Sequence, residues 1–387
     1  LAFEFILSVL LVLAVAVLVG ELFEQFGLPA VAGELLSGLL LGPTATGLVL
    51  PSQQTQAAST ISLFFIIFSI GFEMDTEMVG RQIRRALPVV ATSFAGPLLV
   101  ALAIAGIMLP FSLREDAAVV LSFAVPSISI ISVLVARGGL VEKPSGQLIL
   151  ASVTATDTIA FVMLASLTRS IPNTLTTVGY TSLFVVALVV LDWVMRKKPE
   201  KFREMLEKAA RRFKREDMPF AALLVVGLLI SGLFELIGIS YIVGAFFAGL
   251  IFHEGLVGRG AFRRVSDTFS RMNNAFFIPL FFGIAGAETV FPIGDLKLIP
   301  AISALLAGTL ATSYIATRLT LSRTGWLGEK EASVVAATMC GRGAVGIVIA
   351  SVASASGLIG NSGFAIVIVG TLVSSLVTSV LLRGERL

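Results

Sequence analysis

The chain has 387 residues, of which 56% are hydrophobic and only 14% charged. Soluble domains carry about 25% charged residues, so the composition excludes a water-soluble globular protein and selects an integral membrane protein. The net charge of +3 is small, and the single cysteine, Cys340, and single histidine, His253, exclude an intramolecular disulfide and argue against a cysteine, zinc or haem centre.

Apolar runs separated by charged or Gly/Pro-containing breaks predict thirteen membrane spans. They are 3–22, 28–49, 57–75, 86–109, 115–136, 145–168, 175–195, 219–236, 239–253, 273–290, 298–317, 330–357 and 363–382. The first run is long and no small-residue cleavage site follows it, so it reads as a span and not as a signal peptide. With the N-terminus outside, the cytoplasmic connections and the C-terminus hold 24 of the 28 Lys and Arg residues, as the positive-inside rule requires. The reading is a multi-pass protein of the cell membrane, N-terminus out and C-terminus cytoplasmic. Glu34 and Glu235 fall near span ends and are expected to meet water. The one long polar connection, residues 196–217, places Phe202, Met205, Leu206, Ala209 and Phe213 at helical spacing among basic residues. It reads either as an amphipathic helix on the inner membrane surface or as a plain cytoplasmic linker.

The sixth span, SGQLILASVTATDTIAFVMLASLTR (145–169), holds one carboxylate, Asp157, near its centre. An acid there costs about 2.5–3.5 kcal/mol on insertion scales and marks an ion or proton site by default. The bland alternative is a structural acid satisfied by neighbouring hydroxyls such as Thr154, Thr156 and Thr158.

The two halves of the chain resemble each other. GLPAVAGELLSGLL (27–40) aligns with GISYIVGAFFAGLI (238–251) at an offset of 211, and LFFIIFSIGFE (63–73) aligns with IPLFFGIAGAE (278–288) at 215. At that second offset DAAVV (116–120) meets EASVV (331–335). The first copy begins at the second span and the second at the ninth, an odd separation, so the copies insert with opposite orientation. This predicts an all-α membrane fold of thirteen spans built from two inverted-topology repeats of about five helices, 28–168 and 239–382, joined by a linker span and basic segment at 175–218. Inverted repeats are an architecture of secondary transporters, with sites near the membrane midplane.

Two equivalent spans look interrupted. SFAVPSISIISV (122–133) places Pro126 and four serines at membrane depth, and TMCGRGAVGI (338–347) places Gly341, Arg342, Gly343 and Gly346 there. Proline removes a helical hydrogen bond and paired glycines weaken a helix, so both spans are expected to be discontinuous and to cross. Arg342 needs a partner there, either carbonyl ends of the interrupted helices or an acid such as Glu73, which ends its own span.

These residues carry a family likeness over nearly the whole chain. AGELLSGLLLGPTATGL (32–48), IFSIGFEMD (67–75), ISYIVGAFFAGLIF (239–252), FFIPLFFGIAG (276–286) and GRGAVGIVIA (341–350) resemble the monovalent cation:proton antiporter-2 family. The resemblance implies that Asp157 binds cation and proton alternately. It also implies crossed broken helices at 115–136 and 330–357, and a core domain moving in an elevator-like cycle against a dimerisation domain, hence a homodimer. Three departures bear on stoichiometry and ion identity: Thr156 stands before the acid where relatives often have Asp, Asn or Gln, 298–317 has no lysine, and Ala344 follows the Arg-Gly pair where many have Glu.

The expected function is antiport of a monovalent cation, Na⁺ favoured, for H⁺, electroneutral at 1:1 because no second acid lies beside Asp157. Candidate ion ligands are the Asp157 carboxylate with Thr156, Thr154, Ser127 and Ser129, since hard cations favour oxygen donors. Arg342 and Glu73 are expected to compensate charge or support structure. The protein is expected to be a transporter and not an enzyme, with no cofactor beyond the transported ions and no nucleic-acid partner. The alternatives are a K⁺/H⁺ antiporter or K⁺ efflux system, and a Na⁺-coupled symporter of similar fold. A channel lacks a TVGYG-type filter here, and an intramembrane aspartyl protease lacks its second deep acid.

Overall fold

The computed structural model describes residues 2–26, 28, 30–73, 76–126, 143–168, 218–236, 241–252, 259–289 and 298–384. Regular structure among them is entirely helical. The helices are α1 (Ala2–Gln25), α2 (Ala30–Leu41), α3 (Gln53–Glu73), α4 (Thr76–Val90), α5 (Gly96–Met108), α6 (Leu113–Ala124) and α7 (Pro144–Thr168). They continue as α8 (Met218–Leu236), α9 (Tyr241–Ile251), α10 (Arg259–Met272), α11 (Ile278–Glu288), α12 (Leu298–Thr324), α13 (Glu329–Thr338), α14 (Ala344–Ala355) and α15 (Asn361–Gly384). Two π-helical turns, Ala91–Ala95 and Asn273–Phe277, join α4 to α5 and α10 to α11 without a break.

Every expected span contains described helix except 175–195, which lies outside the described residues, as do residues 127–136 of the fifth span and the polar segment 196–217. Six described helices are long and apolar enough to cross a bilayer. At ~1.5 Å per residue the 24 residues of α1 cover about 36 Å. Its outward face carries Phe3, Ile6, Leu10, Leu18 and Leu22, all exposed, which a helix facing water would not tolerate as one stripe. Inside, hydroxyls are satisfied by their own backbone: Ser122, Ser231, Thr309 and Thr338 each donate to the carbonyl four residues earlier.

Two compact units are present. One comprises Leu1–Ser59, Glu77–Leu167 and Pro279–Leu387, the other Thr60–Thr76 and Thr168–Ile278. Each therefore draws segments from both halves of the sequence. The second unit is built on aromatic packing: Phe269 of α10 meets Phe65, Phe68, Phe72 and Phe220, while Phe72 stacks on Phe262. That arrangement makes α10 amphipathic, with Val265 and Phe269 inside and Arg263, Arg264 and Arg271 exposed.

The glycines shared by the two sequence halves mark the closest helix contacts. In the first unit α2 crosses α11 so tightly that a Cβ on Gly38 would strike the carbonyl of Gly283, and one on Gly286 the carbonyl of Leu35. In the second unit α9 crosses α3, where a Cβ on Gly249 would strike the carbonyl of Phe68, and one on Gly71 that of Phe246. The offsets of 211 and 215 relate these contacts one to one: Gly38 to Gly249, Leu35 to Phe246, Phe68 to Gly283 and Gly71 to Gly286. One crossing has been made twice. Backbone meets backbone, so no side-chain rotamer can yield.

Substituting Gly38 by Ala or Val is expected to lower stability by about 1–3 kcal/mol or more through overpacking. Gly106→Ala, with nothing within 4 Å of the added methyl, is expected to be neutral or slightly stabilising. Thermal unfolding of the detergent-purified protein, followed by size-exclusion profile, checks the contrast.

Candidate functional site

The candidate residues lie in the first unit, on α7, on the two interrupted helices and in the π turn before α5. Along α7, Leu148, Ile149, Ala151 and Val153 share an apolar cluster with Ala86 and Val89 of α4, Leu321 of α12, and Ala332, Val334, Val335 and Met339 of the α13 segment. This holds α7 against a helix that ends at Thr338. Asp157 follows Val153 by four residues, about 6 Å farther along the axis. Its side chain is 0% exposed, and neither carboxylate oxygen has a hydrogen-bond partner among the described residues.

The candidate hydroxyls divide. Thr156 is fully buried and donates to the carbonyl of Ser152 at 2.8 Å, so its proton is spent on its own helix while its lone pairs remain available to a cation. Thr154 is 5% exposed, and its carbonyl accepts from Thr158 at 2.9 Å. Ser127 and Ser129 lie outside the described residues. Ser152, which sequence reasoning did not single out, is buried with an unpartnered hydroxyl. Among the described residues no cluster of three or more His, Cys, Asp or Glu could hold a metal ion.

Both interruptions have a local cause. Pro126 forces Val125 into an extended conformation (φ −74°, ψ 120°), which ends α6. It also leaves the carbonyl of Ser122 without a helical donor, and Gly346 of α14 approaches that oxygen so closely that a side chain would not fit. In the other span α13 tightens as it ends, with the amides of Cys340 and Gly341 bonding Ala337 and Thr338 three residues back. Met339–Gly343 is non-helical, and α14 restarts at Ala344.

Arg342 sits in that gap, 1% exposed. Its guanidinium donates to the carbonyl of Met339 at 3.3 Å and to that of Ser93 at 3.5 Å. The hydroxyl of Ser313 on α12 lies within reach of the same two oxygens, at 3.3 and 3.4 Å. Both carbonyls are orphans. Met339 caps a helix end, and Ser93 stands four residues before Pro97, which has no amide hydrogen to give it. Of the two partners expected for Arg342, the carbonyl ends of an interrupted helix are the ones it bonds. Glu73 belongs to the second unit, is exposed, and accepts from Ser69 at 3.2 Å.

Glu34 corrects an expectation. It was placed near water at a span end, yet it is 5% exposed with Oε2 unpartnered, because the first turn of α2 packs on α1 where Gly20 leaves room for its side chain. Glu235 is exposed as expected, and accepts from the amide of Tyr241 at 2.8 Å. The residues that sequence reasoning missed are Ser93, Pro97 and Ser313. A proline four residues after a serine inside a span was the signal.

The family described as "Sodium/hydrogen exchanger, transmembrane" matches residues 10–384. The chain belongs to that family. It is 25% identical to the Na⁺/H⁺ antiporter of Enterococcus hirae over 98% of this chain and 97% of that protein. It is also 25% identical to the Na⁺/H⁺-K⁺ antiporter GerN of Bacillus cereus, over 98% of this chain and 96% of the relative. Among solved structures, the sodium proton antiporter MjNhaP1 of Methanocaldococcus jannaschii superposes with a TM-score of 0.66 over 98% of this chain and 96% of that one, at 18% identity. That likeness establishes a shared fold.

Arg342→Ala leaves two buried carbonyls with one shared hydroxyl, and is expected to cost about 2–4 kcal/mol. Arg342→Lys, a point donor without the fork, is expected to recover only part of it. Melting temperatures measured without transported cation check both.

Proposed function

We propose that the chain is a secondary antiporter that exchanges a monovalent cation, Na⁺ in preference to K⁺, for H⁺ at Asp157. The observation that carries this reading is a fully covered carboxylate whose two oxygens no group among the described residues engages. An isolated buried anion is too costly to persist, so the side chain is neutralised by a proton or by a bound alkali cation. Thr156 and Thr154, with Ser127 and Ser129, supply the remaining oxygens around the ion.

Both neutral forms can cross with the moving elements, whereas the empty anion cannot, and this asymmetry enforces exchange. One acid carrying either one proton or one cation gives 1:1 electroneutral turnover. Arg342 acts as a structural counter-charge that holds the interrupted α13–α14 segment, and Glu73 remains at the end of α3. The names of the two bacterial relatives support cation/proton exchange, and that of GerN keeps K⁺ as the second ion.

The protein operates as a homodimer in the cell membrane, with the N-terminus outside and the C-terminus in the cytoplasm. The distribution of the 28 basic residues supports that orientation. The repeats 28–168 and 239–382 are joined by the segment 175–218, and the duplicated glycine crossings support a duplicated architecture. A core domain carrying Asp157 moves against a dimerisation domain in an elevator-like cycle.

The test is cation-induced collapse of a pH gradient in proteoliposomes. Asp157→Asn is expected to abolish it, and retained exchange would refute the assignment. Because proton and cation compete for one carboxylate, lowering the pH fills Asp157 with protons and weakens cation binding. The apparent KM for Na⁺ is therefore expected to rise, by up to about tenfold per pH unit. An imposed membrane potential is expected to leave the rate unchanged, and a voltage-dependent rate would refute the 1:1 stoichiometry.

A further inference from the structure

Asp116 is another acid of the first unit with a buried carboxylate oxygen left without a partner among the described residues. It lies in the first turn of α6, is 3% exposed, and has its Oδ1 buried with no hydrogen-bond partner among the described residues. The groups beside it are all spoken for. Ser112 Oγ accepts from the amide of Glu115 at 3.3 Å and caps the helix, and the amide of Asp116 itself donates to the carbonyl of Ser112 at 2.8 Å. Glu115 Oε1 accepts from the amide of Gly360 at 3.2 Å, at the start of α15. Arg114 donates to the carbonyl of Leu167 at 3.4 Å, at the end of α7. The start of α6 is thereby tied to two other helix ends, and Oδ1 of Asp116 is left without a hydrogen bond among the described residues.

A position in the first turn favours an acid through the helix dipole, but that interaction works in open water and gives no reason to cover the side chain. A carboxylate oxygen shut away without a donor is unfavourable unless something neutralises the charge it carries. Here Glu115 adds a second negative charge next in sequence. Two adjacent carboxylates, one with an unused buried oxygen, suit a cation that accepts hard oxygen ligands. The location also fits transport: α6 runs nine residues from Asp116 to Val125, about 14 Å, and ends at the Pro126 interruption. The offset of 215 pairs Asp116 with Glu331 in the first turn of α13, the other interrupted helix. There the carboxylate is occupied, accepting from the amide of Gly328 at 3.4 Å. Asp116 has no such duty.

We infer that Asp116 is a loading site for a monovalent cation at the outer mouth of the exchanger, holding the ion before it reaches Asp157. The inference rests on the exchange function and the N-out orientation proposed above. It is tested by the apparent KM for Na⁺ from each face, using right-side-out and everted membrane vesicles bearing wild type, Asp116→Asn or Asp116→Glu. Asp116→Asn is expected to raise the outer-face KM about tenfold, the scale on which a charged mouth concentrates an ion. The inner-face KM is expected to stay within about twofold, since only one face has lost its collecting charge. Asp116→Glu is expected to restore most of the outer-face affinity.

An equal change on both faces would mean a purely structural acid, and no change on either would mean a helix-dipole residue only. Either result overturns the inference, and a rise confined to the inner face overturns the outer placement. If Asp116→Asn does not reach the membrane, Asp116→Ser carries the same expectation. Wild-type vesicles without Na⁺-driven proton flux would instead refute the exchange function, a result distinguishable from all of these.

Discussion

The structure depends on a carboxyl group that is left alone. Asp157 is fully buried, and among the described residues nothing offers its oxygens a donor. A structural acid in the same place would be expected to hold a hydrogen bond from a neighbouring hydroxyl, and several stand within one turn. Thr156 and Thr158 instead bond backwards to their own helix. Among the described residues the stretch around the acid is thus rich in hydroxyls yet supplies no proton to it. On the exchange mechanism proposed above, that is the condition under which a passing ion can compete.

Around this group the protein manages a second shortage, of amide hydrogens. Pro97, Pro126 and the end of α13 each strip a carbonyl of its helical partner, at Ser93, Ser122 and Met339. Ser93 and Met339 are recovered by one guanidinium and one hydroxyl, and Ser122 faces a glycine backbone. Arg342 is a bracket that spans the gap in the α13–α14 segment to the π turn before α5. Ser313 places a neutral hydroxyl beside that bracket.

Much of this was legible in the residues. Thirteen apolar runs, the lone mid-span acid and the interruption at Gly341–Gly343 are contrasts against an apolar background, and contrasts survive without coordinates. The glycines of the two halves could be aligned, but not which helix each would touch: Gly38 meets α11 from the other half and not a neighbour in sequence. Serines were the least legible. Hydroxyls are common in membrane helices and most bond their own backbone, so nothing in the string separates Ser313, which bridges two segments, from Thr309, which does not. Glu34 was misjudged because a position near a span end says nothing of Gly20 on the adjoining helix, and it is that gap which receives the acid.

The π turn at Ala91–Ala95 has a consequence for how this helix tolerates change in length. A π turn is an α-helix carrying one surplus residue, so deleting a residue from it would heal the hydrogen-bonding pattern without breaking the rod. The same residues rewound as α-helix with the surplus retained would instead be about 100° out of phase beyond that point. Leu99 and Ile107, which now face outward, would swing toward the interior, and Ala101 and Ala105 would leave it. The irregular turn thus acts as a phase setter: a locally better helix would present the wrong side.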